Sequence, residues 1–130
     1  MYTKTTNDIR ITVRPIYLEK ESSPADNNFV WAYHVRIENC GAATVQLRNR
    51  YWKITDGFGR IHEVRGAGVV GEEPVLNPGD AYEYTSGTPV RTPSAIMAGS
   101  YEMESQNGDR FDVEIPAFSL DSPYQPVRLN

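Results

Sequence analysis

The largest apolar residues from Phe29 to Glu38 recur at every second position. Phe29, Trp31, Tyr33, Val35 and Ile37 share one parity; Val30, Ala32, His34, Arg36 and Glu38 share the other. A period of two marks a strand with one buried face, so the first set predicts the centre of a core. The same rhythm runs from Asp8 to Tyr17, where Ile9, Ile11 and Val13 alternate with Arg10, Thr12 and Arg14. Pro15 has no N–H for a ladder and marks an edge, a bulge or a change of sheet. Val45 and Leu47 open another strand. Its apolar parity then shifts, to Tyr51 or Trp52 and Ile54, which predicts a bulge near Arg48-Asn49-Arg50.

Turn chemistry divides the remainder. Glu21 to Asn28 is a polar loop, and Asn39-Cys40-Gly41 ends the strongest strand. Asp56-Gly57-Phe58-Gly59 reads as a hairpin turn, with Arg60 to Arg65 as the returning strand. Asn77-Pro78-Gly79-Asp80 is a further turn, Tyr82 to Ser86 a short strand, and Gly87-Thr88-Pro89 a loop. Met97 to Ser105 predicts a strand, Asn107-Gly108 a hairpin turn, and Phe111, Val113 and Ile115 the final strand. Seven or eight short strands at roughly ten-residue spacing, without an amphipathic helix, predict an immunoglobulin- or fibronectin type III-like antiparallel β-sandwich. A small barrel is the alternative. Tyr101 suits either a tyrosine corner or the core.

At 130 residues the chain predicts one domain, 1–130, with its core at about 8–116 and an extended tail at 117–130. Phe118, Leu120 and Tyr124 of that tail pack either on their own sheet or on a partner subunit, which leaves a homo-oligomer open. With 13 Lys and Arg against 17 Asp and Glu, the net charge of −4 argues against bulk nucleic-acid binding. One cysteine, Cys40, precludes an intrachain disulfide and suits a reducing cytoplasm. No apolar run approaches the roughly 20 residues that cross a bilayer, and the first residues lack the apolar core of a signal peptide. A cytoplasmic location, away from the membrane, is the expectation.

One segment suggests a ligand. Gly66-Ala67-Gly68-Val69-Val70-Gly71 has the GxGxxG spacing of dinucleotide-binding loops. In those loops a helix follows, and its N-terminus offers N–H groups and partial positive charge to a pyrophosphate. Here Glu72-Glu73-Pro74 and then Pro78 follow. Two prolines leave no helical run, and the paired carboxylates repel an anion. The segment predicts a structural turn, with a backbone nest for an anion as the alternative. Beside it in composition, Arg48-Asn49-Arg50-Tyr51-Trp52-Lys53 interleaves cations and aromatics, as nucleic-acid-stacking surfaces do. A half-solvated strand has the same look.

Other chemistry has less support. His34 and Cys40 lack ligand spacing, and His62 and Glu63 point to opposite faces of a strand. No metal site or cofactor is expected. Cys40 has no basic neighbour, and Ser86, Ser100 and Ser105 lack a nucleophile elbow. The chain therefore reads as no enzyme.

Several stretches together resemble the ApaG family: Asn49 to Gly57, Gly66 to Gly71, Pro78-Gly79 with Tyr84-Thr85-Ser86-Gly87, Gly99-Ser100-Tyr101-Glu102-Met103, and Phe111 to Leu120. The resemblance covers about residues 8 to 121. It implies a fibronectin type III-like sandwich and a family with no assigned reaction. It also implies a link to cobalt resistance and magnesium efflux, and a protein-binding role in larger eukaryotic relatives. Glu73 stands where the family often carries glutamine, which makes the loop more acidic. The expected function is a binding module with a protein partner, using Gly66, Gly68, Gly71, Arg65, Arg50, Tyr51 and Trp52. The alternative is a nucleotide or polyphosphate ligand held by the same glycine loop.

Overall fold

The computed structural model describes residues 1–124. Nine strands, β1 (Tyr2–Thr6), β2 (Ile9–Tyr17), β3 (Phe29–Asn39), β4 (Val45–Asp56), β5 (Ile61–Ala67), β6 (Val75–Leu76), β7 (Ala81–Val90), β8 (Ser94–Ser105) and β9 (Arg110–Asp121), form two antiparallel sheets. One has the order β1-β2-β3-β7. The other has the order β5-β4-β8-β9, with the short β6 also beside β4. The sheets pack face to face as a sandwich. Among the described residues the sole helical turn is a 3-10 turn at Pro24–Asp26.

The alternation in β3 sets the core. All five residues of its apolar parity are buried, and their neighbours are half-exposed. Opposite them, Trp52 of β4 meets Tyr33 with ring centroids 5.0 Å apart and faces Tyr101 and Phe118 edge-on at 6.4 and 6.0 Å. Tilted and edge-on contacts suit the ring quadrupoles. Tyr101 is fully buried, and its hydroxyl meets that of Tyr84 from the other sheet, so it is a core tyrosine. The bulge expected in β4 is present: its register against β8 skips between Leu47 and Asn49. After it, Arg50, Trp52 and Ile54 share the inward parity.

The nine strands exceed the expected seven or eight, with the two-residue β6 among the additions, and three further features differ from the sequence expectation. First, β1 was not anticipated, because Tyr2-Thr3-Lys4-Thr5-Thr6 offers almost no apolar alternation. It pairs with β2 from Val13 back to Ile9 and reaches β9 through Tyr2 and Phe118, 5.9 Å apart. Since the pairing with β1 reaches only to Val13, Pro15 lies where β2 has become an edge, which accounts for its being tolerated. Second, β7 continues through Gly87-Thr88-Pro89, which pair with Ala32, Trp31 and Val30 instead of forming a loop. An edge strand accommodates a proline. A Cβ on Gly87 would lie 3.1 Å from the Trp31 carbonyl oxygen, so glycine suits close strand approach there. Third, β9 runs past Pro116 to Asp121, beyond the expected end of the core. Pro116 and Ala117 stand together opposite Ala98, at a register skip between Met97 and Gly99. The bulge absorbs the proline, and Phe118 and Leu120 return to the core at 2% and 0% exposure. Tyr124 also packs within the chain, its ring 6.2 Å from Tyr17 and its hydroxyl on Glu19. Residues 125–130 of the expected tail lie outside the described residues.

Candidate functional site

Each glycine of the GxGxxG segment answers a local geometric need. Gly66 sits in β5 opposite Arg50. A Cβ there would lie 2.8 Å from the Arg50 guanidinium carbon, so the missing side chain is the seat of that guanidinium. Gly68 has φ +63°, and a Cβ on it would come 2.3 Å from the Glu72 carbonyl oxygen. Gly71, at φ +81°, follows Val70 at φ +44°. These two form the centre of a turn closed by Val69 N–H to Glu72 O at 2.8 Å and Glu72 N–H to Val69 O at 2.9 Å. Two successive positive φ values define the type I′ hairpin, which glycine and asparagine normally fill. Val70 is β-branched, and its backbone is strained by about 1–3 kcal/mol.

No helix follows this turn. The strand β6 and two prolines do. The amide of Gly68 donates to Arg48 O at 2.8 Å, and those of Val69 and Glu72 close the turn. Three of the segment's amides, those of Gly68, Val69 and Glu72, are therefore committed to internal carbonyls. Arg50 Nη1 donates to the carbonyls of Ala67 (2.9 Å) and Gly68 (3.0 Å), tying the segment to β4.

The other candidate residues divide between the two faces of the sheet, because neighbours on a strand point in opposite directions. Tyr51 faces outward. Its hydroxyl donates to Glu63 Oε2 at 2.7 Å, and the Arg65 guanidinium lies 4.5 Å from its ring centre. The hydrogen bond to Glu63 raises the Tyr51 hydroxyl above its usual range, and the same bond holds the Glu63 carboxyl low. Trp52 faces inward and is 3% exposed. The expectation that Arg50, Tyr51 and Trp52 present one surface is thus corrected: Trp52 is core.

Arg50, Tyr51, Arg65 and Gly66 line one part of an open groove of about 630 Å³ on the outer face of the five-stranded sheet. Asn49, Ser100, Glu102 and Asp112 line the rest. Sequence reasoning missed these four. Only the strand register places them: Asn49 pairs with Glu102, which pairs with Asp112, and Tyr51 pairs with Ser100. Asn49 Nδ2 donates to Glu102 at 2.7 Å and Arg110 does so at 2.8 Å; both hold that carboxyl below its ordinary value. Asp112 is exposed. The groove therefore has an aromatic floor, a cation at one rim and carboxylates at the other.

The remaining titratable candidates are occupied or isolated. His34 bonds Thr85 and Glu83 at 2.9 and 2.8 Å on the outer face of the four-stranded sheet. Cys40 is exposed, and His62 is exposed on β5. Among the described residues no group of three or more His, Cys, Asp or Glu is placed to hold a metal ion. No helix among them is long and apolar enough to cross a membrane.

Fold and groove together define an all-β sandwich domain with a bipolar, aromatic-floored surface. Residues 19–105 match the ApaG domain. Protein ApaG of Paramagnetospirillum magneticum is 65% identical over 130 residues, covering all of both chains. Protein ApaG of Rhodospirillum centenum is 62% identical over the same span. The crystal structure of the ApaA protein from Bordetella pertussis superposes with a TM-score of 0.87 at 45% identity, covering 91% of this chain and 96% of that one. The chain belongs to the ApaG domain family.

Proposed function

We propose that this protein is a non-enzymatic binding module that recognises a protein partner in the cytoplasm through the outer groove. The carrying observation is the mixture of charge around Tyr51. Arg65 stacks on the ring, while Glu102 and Asp112 line the same groove. A nucleotide's phosphates would meet the carboxylates of Glu102 and Asp112 as well as the guanidinium groups of Arg50 and Arg65. A polypeptide can present both charges and an apolar side chain, which this surface complements. Tyrosine and arginine are also the side chains that most often anchor such contacts. The family link to cobalt resistance and magnesium efflux then runs through the partner.

In-cell crosslinking followed by mass spectrometry tests this reading. A partner recovered with the natural chain should be lost with Arg65→Glu and with Tyr51→Ala, both exposed-face changes that leave the core intact. Recovery unaffected by either change overturns the groove assignment. Saturable shifts of the Gly66 to Gly71 amides with a nucleotide or pyrophosphate would establish the phosphate-binding alternative in its place.

A further inference from the structure

A second, smaller cleft of about 200 Å³ opens between the sheets, on the other side of β4 from the outer groove. Tyr33, Trp52 and Tyr84 form its aromatic walls, Ser86 adds a hydroxyl, and Val69 and Val70 of the glycine turn close one end. Arg50 borders it. Tyr51 and Arg65 belong only to the outer groove.

The charge on Arg50 is not neutralised. Its polar contacts are the two carbonyls of Ala67 and Gly68, both made by Nη1. Arg48, two residues earlier on the same strand, pairs with Glu73 and Glu104. Arg65, opposite Tyr51 on β5, pairs with Glu63. No carboxylate among the described residues stands in that relation to Arg50. A half-buried cation among aromatic rings has lost part of its hydration, and such charges normally have a counter-ion. Two further features favour this arrangement despite local cost. Gly66 provides the seat of the guanidinium, and Val70 holds a left-handed backbone at the cleft mouth. Strained residues of that kind collect at ligand clamps.

We propose that this cleft binds a small aromatic carboxylate, with the carboxylate on Arg50 and the ring against the exposed edges of Tyr33, Trp52 and Tyr84. With Nη1 engaged, Nε and Nη2 remain to donate side by side to two carboxylate oxygens, the geometry guanidinium favours. The cleft, about 200 Å³ and open to solvent, exceeds in volume the enclosed apolar cavity of about 150 Å³ that holds benzene. The cleft shares Arg50 with the lining of the outer groove but lies on the opposite face of β4, and it does not depend on the protein-binding reading.

Benzoate is the first probe, followed by tryptophan fluorescence and by the amide resonances from Gly66 to Glu72. Benzamide has the same shape without the charge, and inorganic phosphate has the charge without the ring. Benzoate should saturate, benzamide should bind at least about tenfold more weakly, and phosphate should leave the cleft resonances unmoved. Arg50→Gln should weaken benzoate by at least about tenfold, and Tyr51→Ala should leave its affinity unchanged. If Arg50→Gln fails to fold, Ser86→Leu, which fills the cleft from β7, should abolish binding. Equal binding of benzamide, saturation by phosphate, absence of saturable benzoate binding, or indifference to both cleft variants overturns the proposal. None of these results bears on crosslinking through Arg65.

Discussion

The two long sides of the sandwich are closed in different ways. On one side β1 and β9 bring the sheets together. Tyr2 packs on Phe118, Lys4 pairs with Glu114, and the Glu114 amide donates to Thr6 Oγ1. Polar groups of β1 find partners on the opposite sheet. On the other side β5 and β7 end their sheets, and the glycine turn and inner cleft occupy the space near them. Inward parity there includes His62 on β5, Arg50 on β4, and Ser86 and Thr88 on β7. Arg50 finds only main-chain carbonyls. Inward parity therefore means burial only where another layer closes over it, and the unclosed side is where a ligand could complete the structure.

The sharpest way to break this contrast is to damage the closed side. Phe118→Ala removes a side chain that is 2% exposed and touches both Tyr2 and Trp52. It should lower unfolding free energy by about 3–5 kcal/mol, read from urea denaturation. A loss below about 1 kcal/mol would mean that β9 is held by its ladder and not by the seal.

The tyrosine pair spanning the sheets gives the next largest effect. Burial raises both Tyr84, which borders the open cleft, and Tyr101 above the ordinary phenol value of 10.0. The folded state thus favours the neutral phenols. Their contribution is fully present below about pH 10 and is lost as pH rises toward the folded values. Each tyrosine should steepen the alkaline fall in stability by about 1.4 kcal/mol per pH unit. Denaturation midpoints measured upward from pH 8 should show that slope, reduced in Tyr84→Phe. An identical slope in the variant would remove Tyr84 from the account.

Much of the closed architecture was legible because burial and alternation coincide there. β3 reads directly, and so does the parity shift in β4 that becomes a bulge. β1 was illegible because a strand of threonines and lysine is stabilised by its neighbours, not by its own pattern. The far halves of β7 and β9 were obscured by Pro89 and Pro116, which an edge and a bulge absorb. At the candidate site, nearness in sequence misled for Trp52, since one step along a strand reverses the face. Conversely Glu102 and Asp112 lie about fifty and sixty residues from Tyr51, and only register brings them to it. The GxGxxG spacing was visible, and the prolines after it correctly indicated a turn. That its first glycine seats Arg50 depends on a cross-strand pairing no local motif encodes.

The glycine segment allows the finest test, because its members are demanded by different things. Gly68→Ala forces a side chain onto φ +63° and places Cβ 2.3 Å from a backbone oxygen. The backbone cannot yield cheaply, so stability should fall by about 1–3 kcal/mol. Hydrogen exchange should quicken first at Val69 and Glu72, whose amides close the turn. Gly66→Ala meets only the far end of Arg50, a flexible side chain that can swing away. Its effect on global stability should stay within about 0.5 kcal/mol, while the bonds from Arg50 to Ala67 O and Gly68 O are lost. The pair separates strain from seating. If Gly66→Ala cost as much as Gly68→Ala, Arg50 would be a structural brace for the turn, and an unneutralised guanidinium would need no ligand to explain it.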